Sequence, residues 1–245
     1  MIDTHCHIDL YENPMKIAEE SEQNKIITIG MTNLPSHYLM GAPHVAKFKF
    51  VRLALGMHPL NGAEHNKEWD SFVRNIDHTS YIGEIGLDFS REGMATKSIQ
   101  IETFCKILNL LKNKKKVISI HSRGAEKTVL QYLEEYNIKN AIFHWYSGAK
   151  SILVEIIERG YYFSINPAMI VSKKGQNIIK DIPIDKILAE TDGPYTIVNN
   201  RYVKPKDVKL VYEYLSIERG INILELEKII DMNFYKLIEW IKSDK

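Results

Sequence analysis

The sequence predicts an α/β fold, a (β/α)8 TIM barrel, because eight short apolar runs alternate with amphipathic segments along the chain. Strands that alternate with helices imply βαβ units and a parallel sheet. The 245 residues are 44% hydrophobic, and barrels of this class reach that length as one domain. We therefore expect a single domain that spans residues 1–245.

The predicted elements follow one another in the order that such a barrel requires. The strands are runs rich in β-branched residues, at 1–4, 26–29, 51–55, 81–83, 117–120, 141–143, 161–165 and 187–189. Helical spacing of apolar residues predicts helices at 14–23, 68–76, 98–112, 126–136, 152–159 and 175–180. Two more amphipathic segments, 206–218 and 223–241, follow the last strand. The apolar face of the final segment is expected to pack on the core.

Composition excludes several classes of function. Lys and Arg number 32 against 31 Asp and Glu, so the net charge of +1 gives no overall attraction to nucleic acid or to an anionic membrane. No apolar run approaches the ~20 residues of a membrane span, and the first residues do not resemble a signal peptide. Two cysteines, Cys6 and Cys105, form no disulfide framework. We expect a cytoplasmic protein without membrane contact.

The informative residues are polar side chains at the ends of predicted strands. The carboxyl ends of barrel strands converge on one face, where enzymes of this fold place their active sites. Buried charges and imidazoles are costly unless they are paired or bound to a metal. The candidates for such a site are His5, His7, Glu84, His121, His144 and Asp192.

These residues predict two divalent metal ions. His5 and His7 are two positions apart, so a strand points both to the same side, although a core and a surface histidine would explain this pair if it stood alone. Nitrogen and oxygen ligands suit Zn, Mn or Mg. We assign His5, His7 and Asp192 to one ion, His121 and His144 to the other, and Glu84 to a bridge. Two such ions promote phosphodiester hydrolysis. Asp192 is also a candidate to orient or deprotonate the attacking water.

Further residues near these strand ends are candidate substrate contacts. Arg123 suits a phosphate clamp, and the alternative is an ion pair with Glu190 or Asp88. Trp145 and Tyr146 either stack on a base or form the pocket wall. For His58 and Asn166 the sequence leaves two roles open: contact with a phosphate, or support of a metal ligand. The remaining histidines are expected at the surface: His37, His44, His65 and His78.

The same residues lie in motifs that resemble the TatD-type metal-dependent deoxyribonucleases of the amidohydrolase-like superfamily. The motifs are HCHID at 5–9, GMHP at 56–59, GEIGLD at 83–88, HSR at 121–123, HWYSG at 144–148 and ETDGPY at 190–195. They cover nearly the whole chain in order. The resemblance implies a TIM barrel, two or more divalent ions, ligand roles at the six positions, and hydrolysis of DNA, often from single-stranded 3′ ends.

A narrower resemblance concerns the TatD-like nuclease of the Qat anti-phage defence system of bacteria. It rests on SIHSR at 119–123, HWYSG at 144–148, FSINPAM at 163–169 and TDGP at 191–194. This resemblance implies protein partners that include an ATPase. The chain departs from the family at 196–205, where the usual Leu-Ala-Pro stretch and Arg-Gly segment are missing, so substrate specificity is open there.

Two other functions compete with a nuclease. Related barrels hydrolyse C–N or small ester bonds, but many of them bridge their metals with a modified lysine on the fourth strand, where this chain has Glu84. The second alternative is a non-catalytic subunit that binds nucleic acid or a nucleotide. A non-catalytic subunit does not need a buried cluster of ligands that costs folding free energy, so we favour the hydrolase.

Overall fold

The computed structural model describes residues 1–242 and has the expected barrel of parallel strands. Its strands are β1 Ile2–Cys6, β2 Ile27–Gly30, β3 Val51–Leu53, β4 Leu55–Met57, β5 Tyr81–Gly86, β6 Val117–His121, β7 Ala141–His144, β8 Tyr162–Ile165 and β9 Ile187–Ala189. The third predicted strand is divided by Ala54 into β3 and β4. Neighbouring strands pair in parallel as β1-β2-β3 and as β4-β5-β6-β7-β8-β9.

Backbone hydrogen bonds at the carboxyl ends join the first and last strands. The Asp192 N–H donates to the His5 carbonyl over 2.8 Å, and the His7 N–H donates to the Gly193 carbonyl over 2.8 Å. These bonds place the segment after β9 directly beside the end of β1. Residues almost 190 positions apart are thereby fixed next to each other.

The helices surround the strands. They are α1 Pro14–Gln23, α2 Pro35–Val45, α3 His65–Asn75, α4 Lys97–Leu111, α5 Glu126–Glu135, α6 Lys150–Glu158, α7 Pro167–Val171, α8 Lys173–Asp181, α9 Lys209–Arg219 and α10 Ile223–Lys242. α2 is absent from the predicted helices because it contains Pro43, and an internal proline usually ends a helix. No helix in residues 1–242 is both long enough and apolar enough to cross a bilayer.

A short antiparallel hairpin also lies outside the predicted elements. Its strands are β10 Ile197–Val198 and β11 Arg201–Tyr202. It falls within the segment where the chain departs from the family pattern.

The barrel interior is apolar at the amino ends of the strands. Ile2, Ile29, Val117, Ile142 and Leu188 are among its buried residues. Phe234 and Leu237 of α10 pack against this cluster, and the Asn233 side chain donates to the Ile184 and Ile187 carbonyls over 2.8 and 2.9 Å. The final helix therefore covers the amino end of the barrel, and the functional site lies at the other end.

Candidate metal centre

The six predicted ligand residues come together at the carboxyl ends of the barrel strands. β1 supplies His5, His7 follows it, and β5 supplies Glu84, while the ends of β6 and β7 supply His121 and His144. Asp192 comes three residues after β9. The side chains of His5, His7, Glu84 and Asp192 are at most 3% exposed. The strand-end pattern in the sequence thus corresponds to one buried cluster.

Glu84 is at the centre of this cluster, and its two oxygens face different imidazoles. Oε1 lies 2.6 Å from His121 Nδ1 and 2.8 Å from His144 Nε2. Oε2 lies 3.1 Å from His7 Nε2 and 3.5 Å from His5 Nε2. The Glu84 carboxylate therefore lies between His5 and His7 on one side and His121 and His144 on the other.

Asp192 joins the set around His5 and His7. Its Oδ1 atom lies 3.5 Å from His5 Nε2 and 3.7 Å from His7 Nε2. Its backbone has φ of 49°, in the left-handed region that is costly for a non-glycine residue. Such strain is typical of functional sites, and here it accompanies a carboxylate of the cluster.

The donor atoms fit divalent cations. Asp192 Oδ1 is buried and has no hydrogen-bond partner, and His5 Nε2 and His7 Nε2 face each other over 3.2 Å. Buried acceptors rarely lack donors, so this arrangement indicates a site for cations. Within residues 1–242, three groups have ligand atoms within 4.8 Å of one another: His5, His144 and Asp192; His5, His7 and Glu84; and His58, Glu84 and His121.

Residues behind the imidazoles fix their ring orientation. His5 Nδ1 lies 2.8 Å from Ser119 Oγ, and His121 Nε2 lies 2.8 Å from Asp88 Oδ2. A hydrogen bond to one ring nitrogen directs the lone pair of the other, which is how protein ligands are commonly prepared for a metal. The cluster-facing nitrogens are therefore His5 Nε2 and His121 Nδ1.

The electrostatics of the cluster also suit cation ligands. Burial and the neighbouring His144 hold the pKa of His5 well below its ordinary value, so this imidazole is neutral. Burial raises the pKa of Glu84, but His144 and His121 outweigh it and bring that pKa well below the ordinary range. Burial, with the nearby Glu190 and Glu84 carboxyls, raises the pKa of Asp192 well above its usual range. The site thus combines a neutral imidazole, an ionised carboxylate and a carboxyl with high proton affinity.

His58 lies at the edge of the cluster, and the structure defines its two ring nitrogens. Nδ1 accepts the Leu60 N–H over 3.2 Å, and Nε2 lies 3.4 Å from Glu84 Oε2. Burial lowers the pKa of His58, so the ring is neutral and its proton is on Nε2. His58 therefore presents an N–H donor to the pocket. His65, expected at the surface, is instead buried and lies 3.0 Å from the His58 carbonyl through Nε2.

Glu190 is a site residue that the sequence analysis did not assign. Its carboxylate is fully buried, accepts the Trp145 N–H over 3.2 Å, and lies 3.6 Å from His144 Nδ1. The Ser164 hydroxyl and the Asn166 side chain donate to it as well. The sequence did contain a signal for Glu190: it is a charged residue directly after an apolar strand, two positions before Asp192.

Two predicted substrate contacts are corrected by the structure. Tyr146 is 1% exposed, its hydroxyl donates to the Ala149 carbonyl over 2.7 Å, and its ring packs edge-on against Phe163. Asn166 is fully buried and accepts the Met169 N–H at the start of α7. Both side chains are buried and hydrogen-bonded within the fold, so neither reaches a ligand in the pocket.

A pocket of about 530 Å³ opens above the cluster. Its lining includes His58, Arg123, Trp145 and Tyr195. Arg123 is 57% exposed at the mouth and lies 3.6 Å from Glu92, so the predicted alternatives, ion pairs with Glu190 or Asp88, are wrong. Trp145 adopts φ of 39° next to His144. The pocket therefore has a cation, an imidazole N–H and two aromatic rings around its metal-binding floor.

Comparison with known proteins identifies the family. The model of the family described as "TatD related DNase" matches residues 2–239. Deoxyribonuclease TATDN3 of Homo sapiens is 25% identical, over 97% of this chain and 94% of that protein. An uncharacterized metal-dependent hydrolase of Methanocaldococcus jannaschii is 26% identical, over 97% and 96%.

Solved structures share the fold. YJJV, a TatD homolog from Escherichia coli, superposes with a TM-score of 0.86 at 21% identity and covers 97% of both chains. A TatD family hydrolase from Entamoeba histolytica gives a TM-score of 0.81 at 17% identity, again over 97% of both chains.

Proposed function

Because the chain belongs to the TatD related DNase family, whose members are metal-dependent hydrolases of phosphodiester bonds, we propose that it hydrolyses DNA at single-stranded ends. The observation that carries this proposal is the position of Glu84 between two sets of imidazoles, beneath an open pocket with Arg123 at its mouth. Two sets of ligands across one carboxylate are the arrangement used by two-metal phosphodiester enzymes.

We assign the ligands as follows. His5, His7, Asp192 and Glu84 would hold one ion, and His121, His144 and Glu84 would hold the second. Mg, Mn or Zn suits these nitrogen and oxygen donors. When bound, such ions lower the pKa of water and neutralise charge on the phosphate.

The protein's own groups supply the remaining roles. Asp192, beside His5 and His7 at the floor of the pocket, accepts a proton from the attacking water. The water oxygen bonds to phosphorus, the P–O bond to the leaving group breaks, and solvent protonates the leaving oxygen. His58 donates its Nε2 proton in a hydrogen bond to a phosphate oxygen. Arg123, a planar donor at the mouth, holds a second phosphate group of the strand. Trp145 lines the pocket and offers a ring face to a base.

The direct test is a cleavage assay with end-labelled DNA. Wild-type protein and Asp192→Asn are loaded with Mn or Mg and incubated with single-stranded and double-stranded oligonucleotides. We expect the wild type to release nucleotides, faster from the single strand, and the variant to lose most of this activity. Glu102→Gln, an exposed carboxylate on α4 that pairs with Lys106, is the matched control.

The same assay separates the competing functions. If the metal-loaded wild type releases no nucleotides but hydrolyses an amide or small ester, the C–N or ester hydrolase is correct. If it hydrolyses neither and yet binds an oligonucleotide, the chain is a non-catalytic binding subunit.

We also propose that the protein acts in the cytoplasm with partners of a Qat-type defence system, including an ATPase. The support is the set of four motifs described above, together with two free cysteines. Affinity purification of the tagged protein from its native host tests this placement. Recovery of an ATPase in stoichiometric amount is expected, and recovery of this chain alone contradicts it.

A further inference from the structure

The hairpin that borders the pocket has one apolar face directed to solvent. We call residues 195–203 the rim hairpin; it contains β10, β11 and a two-residue turn, Asn199 and Asn200. The turn residues have φ of 50° and 58°, the left-handed pair that a tight hairpin turn requires and that asparagine tolerates. The local sequence therefore specifies a defined ribbon.

The inner face of this ribbon anchors it to the barrel. Thr196 and Val203 are at most 1% exposed, and the Tyr11 hydroxyl donates to the Val203 carbonyl. Arg201 donates to both carboxylate oxygens of Asp207 over 2.7 Å each. A bidentate pair of this kind adds orientation as well as energy. The ribbon is therefore held in one position on the rim.

The outer face exposes residues that a small ribbon would normally bury. Ile197 and Tyr202 are direct cross-strand partners and are 57% and 63% exposed. Cross-strand partners share a face of the ribbon, and Thr196 and Val203 occupy the opposite one. Tyr195, 53% exposed, precedes them. Three large apolar or aromatic side chains of the rim hairpin are thus more than half exposed.

Tyr195 connects this outer face to the active site. It lines the pocket, and its ring packs edge-on against His7 with centroids 5.0 Å apart. Ile197 follows Tyr195 by two residues, and Tyr202 pairs with Ile197 across the ribbon. The rim hairpin therefore begins at a residue of the pocket wall.

The charges on the rim hairpin and directly after it favour bases over phosphates as the ligand. Arg201 is paired with Asp207, and Lys204 is paired with Glu20 over 2.9 Å. The whole chain has a net charge of only +1, so neutralised phosphates supply little of its affinity for a strand. Stacking on aromatic rings needs no cation and tolerates any base.

We propose that Tyr195, Ile197 and Tyr202 form a stacking platform for the nucleobases of a single strand that extends from the pocket. This inference rests on the proposed function, because the platform is argued as an extension of the nuclease pocket. It accounts for the departure from the family pattern at 196–205 by giving that segment its own contact with substrate.

The test compares Tyr202→Ala and Tyr202→Phe with Tyr235→Ala, which removes a 49% exposed tyrosine from α10 at the opposite end of the barrel. The substrates are an oligothymidylate and the same oligomer with abasic sites outside the scissile nucleotides. We expect Tyr202→Ala to raise KM for the intact oligomer about tenfold, with a much smaller change for the abasic one. Tyr202→Phe should behave as wild type, because stacking does not need the hydroxyl.

Two results would overturn the platform: an unchanged KM for the intact oligomer, or an equal rise for both oligomers. An unchanged KM together with loss of a co-purified protein would identify the hairpin as a protein-docking surface instead. Fluorescence anisotropy with a labelled oligothymidylate makes the test independent of cleavage. If the wild type cleaves nothing, the proposed function fails, while weaker oligomer binding by Tyr202→Ala would still support the platform.

Discussion

The two ends of the barrel interior are built from the same strands but have opposite chemistry. β1 places Ile2 in the apolar cluster at the amino end and His5 in the polar cluster at the carboxyl end. β7 does the same with Ile142 and His144. One end is closed by Phe234 and its neighbours on α10, and the other opens into the pocket.

The two ends make opposite contributions to the free energy of unfolding. Burial of a large apolar side chain stabilises a protein by about 1.5–3 kcal/mol. Buried carboxylates and imidazoles cost free energy unless a partner compensates them. We therefore expect the amino end to set the free energy of unfolding and the carboxyl end to set activity, with bound cations compensating the polar cluster.

The largest effect is expected for Glu84→Gln. This change removes the negative charge that both sets of imidazoles face, so activity on single-stranded DNA should fall at least about 10³-fold. Metal content per chain, measured by mass spectrometry, should fall as well. The melting temperature of the metal-free variant should equal or exceed that of the metal-free wild type. Undiminished metal content would contradict the bridging role of Glu84.

Phe234→Ala tests the opposite end. Phe234 is 2% exposed inside the apolar cluster, and truncation of such a side chain costs about 3–5 kcal/mol. Urea unfolding should show this loss, while kcat at a temperature where the variant is folded should stay close to wild type. Tyr235→Ala, the adjacent exposed position, should change the free energy of unfolding by less than about 0.5 kcal/mol. A large loss of kcat in the folded Phe234→Ala variant would show that the two ends are not separable.

Metal loading should stabilise the protein through the carboxyl end alone. A ligand at 100 to 1,000 times its dissociation constant stabilises the folded state by about 3–4 kcal/mol. Thermal or urea unfolding with and without Mn should show this increment in the wild type and in Phe234→Ala. Asp192→Asn, which changes a proposed ligand, should show a smaller one. Equal increments in all three proteins would place the stabilising ion elsewhere.

Glu190→Gln is expected to act through His144 and Trp145. The Ser164 hydroxyl and the Asn166 amide both donate to Glu190. The NH2 group of a glutamine would therefore face one of these donors in place of an acceptor. Loss of a carboxylate that supports a ligand costs about 10- to 100-fold in metal affinity or activity. Competition with a chelator measures that affinity directly. Unchanged metal affinity with reduced unfolding stability would assign Glu190 a structural role only.

Much of the difference between the two ends could be predicted from the sequence, because it depends on strand periodicity. Polar residues that follow apolar strands predicted the cluster around Glu84, and helical spacing predicted α10. The errors have local causes. Trp145 adopts a positive φ, and Tyr146 beyond it lies in the core, which spacing from His144 alone does not show. The tautomer of His58 depends on the Leu60 amide, a contact that no sequence pattern encodes.

The smallest effect is expected at the mouth of the pocket. Arg123 is 57% exposed and pairs loosely with Glu92, and an exposed contact of this kind contributes about 1 kcal/mol or less. Arg123→Ala should raise KM for DNA by about three- to fivefold and leave kcat and the free energy of unfolding nearly unchanged. Glu92→Gln should lower KM slightly, because it removes the competing carboxylate. If Arg123→Ala instead lowers kcat with KM unchanged, the guanidinium acts on the transition state, and the chemical site extends further toward the rim than we propose.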